Sequence, residues 1–217
     1  MKQHLWHFWK NNQSLILFLF LMVLFRTTLA DWNTVPTGSM KPTIIEGDRI
    51  LVNKIAYDLK VPFTHITLKK FSDPKRGDIV IFESEKAQKR LVKRVIGLPG
   101  DKITMLNNMI SINDNKLKYK ILAQDKDKLI AEEKYHTIHY RIKLNRLSNS
   151  TIANFDTIKV PANAYLVLGD NRDNSADSRF IGFVPREEII GRARHVVMSL
   201  NYDNYYLPRM NRFMHLL

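Results

Sequence analysis

Three stretches of the sequence put side chains capable of chemistry into constrained settings. The first is Val35-Pro36-Thr37-Gly38-Ser39-Met40-Lys41-Pro42-Thr43. Glycine permits backbone angles closed to other residues, and each proline fixes its own φ and restricts the residue before it. A turn built this way can hold the Ser39 hydroxyl at one angle beside backbone N–H groups, as a nucleophile and its oxyanion site require. The same composition also makes ordinary loops, so both readings stand on this segment alone. The second is Lys93. In a strand, Leu91, Lys93 and Val95 share one face, while Arg90, Val92, Arg94 and Ile96 share the other. If the face of Leu91 and Val95 is inward, Lys93 is desolvated, its pKa falls, and its neutral amine can accept a proton from serine. A surface lysine on a basic strand is the alternative. The third is Gly169 to Arg179, a run of short polar residues following the apolar Tyr165 to Leu168. Such a loop is held by side-chain-to-backbone hydrogen bonds and Asp–Arg pairs.

Other chemistry fits less well. Asp173, Ser175 and Asp177 alternate as in a calcium loop, but the glycine at the sixth position is missing and Val184 stands where the bidentate glutamate belongs. His136 and His139 lack the i, i+4 spacing of a zinc helix. His195, in an apolar strand-like stretch, is a candidate for a Ser-His-Asp site or a structural histidine. With no cysteine, disulfides, thiolate metal sites and a cysteine nucleophile are excluded.

The elements that must position these residues follow from pattern. The 217 residues are 45% apolar and 25% charged, which describes a globular chain able to bury one core. A formal net charge of +13 is compatible with a solvated basic surface, with anionic lipid headgroups or with nucleic acid. The basic residues are scattered, and no nucleic-acid-binding signature is present. Leu15 to Phe25 is an unbroken apolar run, extended through Ala30 with only Arg26 intervening. As a helix of 16 residues it covers about 24 Å, against about 30 Å of hydrocarbon. One reading is a cleavable signal peptide, with Lys2 and Lys10 before the run and Thr28-Leu29-Ala30 as its cleavage site. The other is a retained anchor, with Arg26 snorkelling outward and Trp32 in the interfacial belt. Either way the residues after 31 lie across the membrane, N-terminus inside. From Ile44 onward short β-type runs alternate with turns: 49–52, 78–82, 91–96, 103–105, 109–112 and 165–168, with 188–197 less distinct. The fold class is therefore mainly β. Residues from about 113 to 158 are polar and lysine-rich, with weaker strand signals around Tyr135 to Ile142, and read as a less regular excursion.

In order along the chain, Pro36 to Thr43, Arg76-Gly77-Asp78-Ile79-Val80, Lys93 to Asp101 and Gly169 to Arg179 together resemble the bacterial type I signal peptidases, the leader peptidase family. The resemblance implies a mainly β catalytic domain, related in fold to Ser-Lys self-cleaving repressors, with one N-terminal transmembrane helix. It implies Ser39 as nucleophile and Lys93 as general base, with Ser175 orienting the lysine amine. The Ser39 backbone N–H and the Thr37 hydroxyl would form the oxyanion hole, and Asp177 and Arg179 a supporting ion pair. Val35, Pro36, Met40, Leu91 and Val92 would bind the substrate, an exported preprotein with small residues at an Ala-x-Ala site. No cofactor or metal is expected. Retention of the anchor follows from the same resemblance: a short cytoplasmic tail at 1–12, an anchor at 13–30 and an extracytoplasmic domain at 31–217, held at the cytoplasmic membrane. Expected partners are preproteins and anionic lipids, and not nucleic acid. Many Gram-negative relatives carry two membrane segments where one is seen here, and Thr37 stands where serine is common. A self-cleaving repressor and an inactive tethered scaffold are the rival readings. The apolar run and the missing DNA-binding domain weigh against the first, and the presence of Ser39, Lys93 and Ser175 against the second.

Overall fold

The computed structural model describes residues 11–61, 64, 66–146 and 151–217. The expected tail at 1–12, with Lys2 and Lys10, lies outside them apart from Asn11 and Asn12, and so do positions 147–150 of the excursion. Helix α1 spans Gln13–Thr28, about 24 Å at 1.5 Å per residue. Leu15, Phe18, Phe20 and Phe25 are all 52% to 62% exposed, and no side chain of the helix is buried. Among the described residues no helix is long and apolar enough to cross a membrane. The helix is fastened to the body at its C-terminus, where carbonyls lack partners and a cation is favoured. Lys54 Nζ donates to the Arg26 carbonyl at 2.8 Å. Arg26 itself pairs with Asp31 at 2.7 Å and lies over the Trp32 ring.

The remainder is almost all strand. Strands β1 (Ala30–Thr34) and β2 (Asp48–Asn53) precede a small hairpin, β3 (Asp58–Lys60) and β4 (Thr67–Lys70), and then β5 (Ile79–Ser84) and β6 (Lys89–Gly97). Next come β7 (Lys102–Leu106), β8 (Met109–Ile112), β9 (Asn115–Lys116), β10 (Lys118–Gln124), β11 (Lys128–Tyr135), β12 (Ile138–Asn145) and β13 (Phe155–Lys159). Strand β14 (Ala164–Leu168), the one-turn helix α2 (Ser178–Ile181), β15 (Val184–Pro185) and β16 (Ile189–Asn201) lead to two short strands, β17 (Leu207–Pro208) and β18 (His215–Leu216). The principal sheet runs β1-β2-β16-β5-β6-β14-β15, with β17 and β18 also on β16. Strand β6 pairs with β5 from Lys89 to Arg94, but with β14 only from Arg94 to Gly97. Residues 89–93 and the outer side of β1 are thus open edges among the described residues.

Strand β5 reads Ile-Val-Ile-Phe because both its faces are covered. Ile79 and Ile81 pack with Ile50, Val52 and Val196, and Val80 and Phe82 with Val95, Val167 and Ile189. Each such side chain contributes about 1.5–3 kcal/mol by leaving water. A third cluster, Ile96, Ile103, Ile110, Ile112 and Leu166, joins the sheet β13-β7-β8-β9 to the body.

Two expectations need correction. The excursion is regular: β10, β11 and β12 form a three-stranded antiparallel sheet in continuous register over 128–145. Its period is hidden because a charged residue, Glu133, occupies a fully buried inward position two after the buried Ala131. Strand β16, indistinct in the sequence, extends over 13 residues through the middle of the principal sheet.

Candidate active site

Ser39 lies in a single 3-10 turn, Gly38–Met40, fastened from both sides. Buried Met40 roots the turn in the cluster of Val35, Ile44 and Ile50. From the loop after β14, Asn171 donates its backbone N–H to the Ser39 carbonyl at 3.0 Å and its side-chain amide to the Gly38 carbonyl at 2.9 Å. Gly38 does not adopt a positive φ. What it supplies is space, since a Cβ there would fall 2.6 Å from Glu46 Oε1.

Lys93 is 2% exposed and reaches Ser39, its Nζ donating to Oγ at 2.7 Å and to the Val92 carbonyl at 3.0 Å. Desolvation pulls its pKa down to about 8, against the opposing charges of Asp177 and Asp170. The flanking Leu91 and Val95 belong to the hydrophobic cluster of Phe82 and Val167. Arg94, in the opposite phase, is also buried. It makes a bidentate pair with Asp170 at 2.8 and 2.7 Å and stacks over Tyr140 of β12. The inner half of strand β6 is therefore covered on both faces, because Tyr140 of the β10–β12 sheet closes over the side that carries Arg94.

Ser175 lines the same cleft, but its buried Oγ has no hydrogen-bond partner. The expected bond to the Lys93 amine is absent, and the Val92 carbonyl accepts from the amine instead. Gly169 lets the two serines approach: a Cβ there would lie 2.1 Å from Ser175 Oγ and 2.6 Å from the Ser39 carbonyl oxygen. No side chain fits that gap. Thr37 stands at the exposed rim with no capping hydrogen bond. Asp177 and Arg179 pair bidentately at 2.8 and 2.7 Å, buried behind the cleft, and Asp177 Oδ2 also accepts from the Gly169 N–H at 2.9 Å. Val35, Pro36, Met40, Leu91 and Val92 all line a cleft of about 500 Å³ that contains Ser39 and Lys93. His195 and the pair His136 and His139 do not line it. Asp173, weighed as a calcium ligand, accepts from Asn108 and from the Asn145 N–H at 2.9 and 2.7 Å.

Several residues of the site escaped the sequence reading. Asn171 clamps the serine turn. Asp170 receives Arg94 and the Thr43 hydroxyl. Arg172 and Glu133 form a fully buried pair at 2.8 Å, joined by Tyr140. Backbone bonds from Lys143 to Asp170 and from Arg172 to Lys143, at 2.7 and 3.0 Å, tie the loop to β12. The excursion thus holds the loop, and the loop holds the serine. The only sequence signal was the polar density right after β14.

Chemically, a serine hydroxyl 2.7 Å from an amine that loses its charge near pH 8 forms an activated-nucleophile pair. The family described as signal peptidase, peptidase S26, matches residues 8–198. A signal peptidase I of Buchnera aphidicola subsp. Schizaphis graminum is 35% identical, over 88% of this chain and 75% of that protein. A signal peptidase I of Pseudomonas fluorescens is 34% identical, over 89% of this chain and 74% of that protein. A crystal structure of a signal peptidase I from Enterococcus faecalis is 30% identical, covers 57% of this chain and 98% of that one, and superposes with a TM-score of 0.39.

Proposed function

The chain belongs to the signal peptidase family, peptidase S26, and is a type I signal peptidase, a serine protease that removes signal peptides; we propose that it does so with Ser39 as nucleophile and Lys93 as general base. The observation that carries this reading is the 2.7 Å contact between the buried Lys93 Nζ and Ser39 Oγ in the wall of the cleft. The neutral amine takes the Ser39 proton as Oγ attacks the scissile carbonyl. The ammonium so formed protonates the departing amine, leaving an acyl-enzyme ester. The amine then takes a proton from water as the water attacks the ester; the ammonium returns that proton to the departing Oγ, releasing the signal peptide and restoring both the Ser39 hydroxyl and the neutral amine. The Ser39 N–H and the Thr37 hydroxyl receive the oxyanion. Ser175, whose buried Oγ is unpartnered and which lines the cleft with Lys93, orients the ammonium in this reading.

The substrate lies extended between the open edges at Val35-Pro36 and Leu91-Val92, adding a strand to them. Shallow walls admit small side chains at the first and third positions upstream of the bond, as in an Ala-x-Ala site. The anchor reading is supported by the Leu15 to Phe25 stretch of α1, apolar on every side, with the helix's last turn bonded to Lys54. It places the domain at the outer face of the cytoplasmic membrane, with preproteins and anionic lipids as its partners.

The test is cleavage of a preprotein with an Ala-x-Ala site by detergent-solubilised protein. Ser39→Ala and Lys93→Ala should each lower the rate by at least about 10³-fold. Full activity in Lys93→Ala overturns the dyad. Isolated protein should start at Met1 and sediment with membranes, and a soluble form starting at Asp31 overturns the anchor.

A further inference from the structure

A second cavity, of about 240 Å³, lies at the foot of α1, walled by Thr27, Thr28, Lys54, Glu83 and Ile190. One side chain lines both this cavity and the active-site cleft: Arg90. Its guanidinium is held at two points. Nη2 donates to Glu83 Oε1 on the neighbouring strand at 2.6 Å, and Nη1 donates to Asn33 Oδ1 at 3.1 Å. Asn33 and Arg90 belong to the two open strand edges on either side of the cleft, so the bond between them spans it and separates the two spaces.

We propose that Arg90 determines specificity at the fourth residue upstream of the scissile bond, favouring a carboxylate there and disfavouring a basic side chain. The inference rests on the reading of the cleft as the strand site for a signal-peptide end. Strand β1 begins two residues after α1 ends, so the Asn33–Arg90 end of the cleft is the end beside the helix. A chain arriving from the membrane side enters there and meets Ser39 last. Along β6, Arg90 stands three residues before Lys93, about 10 Å at 3.3 Å per residue, which matches three residues of extended substrate. Its side chain is out of phase with Leu91 and Lys93. The first and third substrate residues occupy the small-residue positions, which leaves the fourth to Arg90.

A substrate strand can enter only if Arg90 gives up Asn33. That frees guanidinium N–H groups that a substrate carboxylate can accept in the same plane. Lys89 beside it and Lys54 across the second cavity add positive charge, opposed by Glu83 against Arg90, by Asp31 3.9 Å from Lys54 and by Asp58 in the cavity wall. The Arg90 side chain is 41% exposed, so water screens the discrimination to about two- to five-fold.

The experiment compares three Ala-x-Ala peptides that differ only in bearing Glu, Ala or Lys at the fourth residue upstream. The wild-type protein should cleave the Glu peptide about two- to five-fold faster in kcat/KM than the Lys peptide, mainly through KM. Arg90→Gln should level the series and Arg90→Glu should invert it. Equal rates on all three in the wild type, or an unchanged preference in Arg90→Gln, overturn the inference while leaving the protease reading intact. Failure to cleave any of the three overturns the underlying reading instead.

Discussion

Titrating Lys93 is the sharpest probe of the proposed mechanism. The amine is 2% exposed, and desolvation brings its pKa from 10.5 to about 8. Only the neutral form can take the Ser39 proton, so the rate follows the deprotonated fraction and rises with pH. With a pKa of about 8 that fraction is about 0.1 at pH 7 and about 0.9 at pH 9, roughly a ten-fold rise that then levels off. An unperturbed lysine would give about a hundred-fold rise over the same interval, with no plateau below pH 10. The assay is kcat/KM for an Ala-x-Ala peptide from pH 6 to 10, since kcat/KM reports the groups of the free enzyme. A flat profile, or a climb still unbroken at pH 10, refutes desolvation as the device that activates Lys93. The same depression carries a stability cost of opposite sense. Below pH 8 both folded and unfolded chains carry the ammonium, and the folded one holds it buried. That penalty is present at neutral pH and disappears as pH rises from 8 through 10.5. Lys93→Met should therefore raise the neutral-pH unfolding free energy by about 3 kcal/mol, with no such gain at pH 10.5, while activity is lost.

The neighbouring residues give further outcomes. Thr37→Val should lower kcat about 10²–10³-fold, whereas Thr37→Ser should retain most of it, because only the hydroxyl receives developing charge. Gly169→Ala puts a methyl group 2.6 Å from the Ser39 carbonyl oxygen. The displaced turn should cost about 10²-fold in kcat/KM, with far-UV circular dichroism unchanged. Arg172→Ala strands the Glu133 carboxylate in the interior and should cost about 3–5 kcal/mol in urea unfolding. Adding Glu133→Leu should return part of that loss, and an uncharged double variant no better than the single one would refute the pairing argument.

Legibility followed range. Strand β5 and Lys93 could be read locally, the first from a four-residue apolar run and the second from its phase with Leu91 and Val95. Ser39 stood out because a glycine and two prolines constrain its turn. Asn171 could not be recognised, since an asparagine in a polar loop looks like any other until its amide is seen on a carbonyl 133 positions away. The burial of Arg94 was out of reach for a similar reason. Strand alternation sets which face a side chain takes but says nothing of what covers that face, and its partner Asp170 is 76 positions on. The excursion failed in a third way, because Glu133 broke the apolar alternation that marks a strand.

By itself the sequence determined the chemistry available to this protein: a constrained serine, a lysine in an apolar phase, a mainly β body and an apolar segment close before the serine. These are set by residue type and by spacing within a few positions, which is the range over which backbone sterics and side-chain periodicity act. The tertiary structure alone decided that the two groups meet at 2.7 Å, that Ser175 stands unpartnered beside them, and that Arg90 reaches across to Asn33. It also decided that a lysine-rich excursion holds the loop that holds the serine. Those outcomes depend on which distant strands pack together, and burial, which sets the charge state of Lys93, exists only once they have.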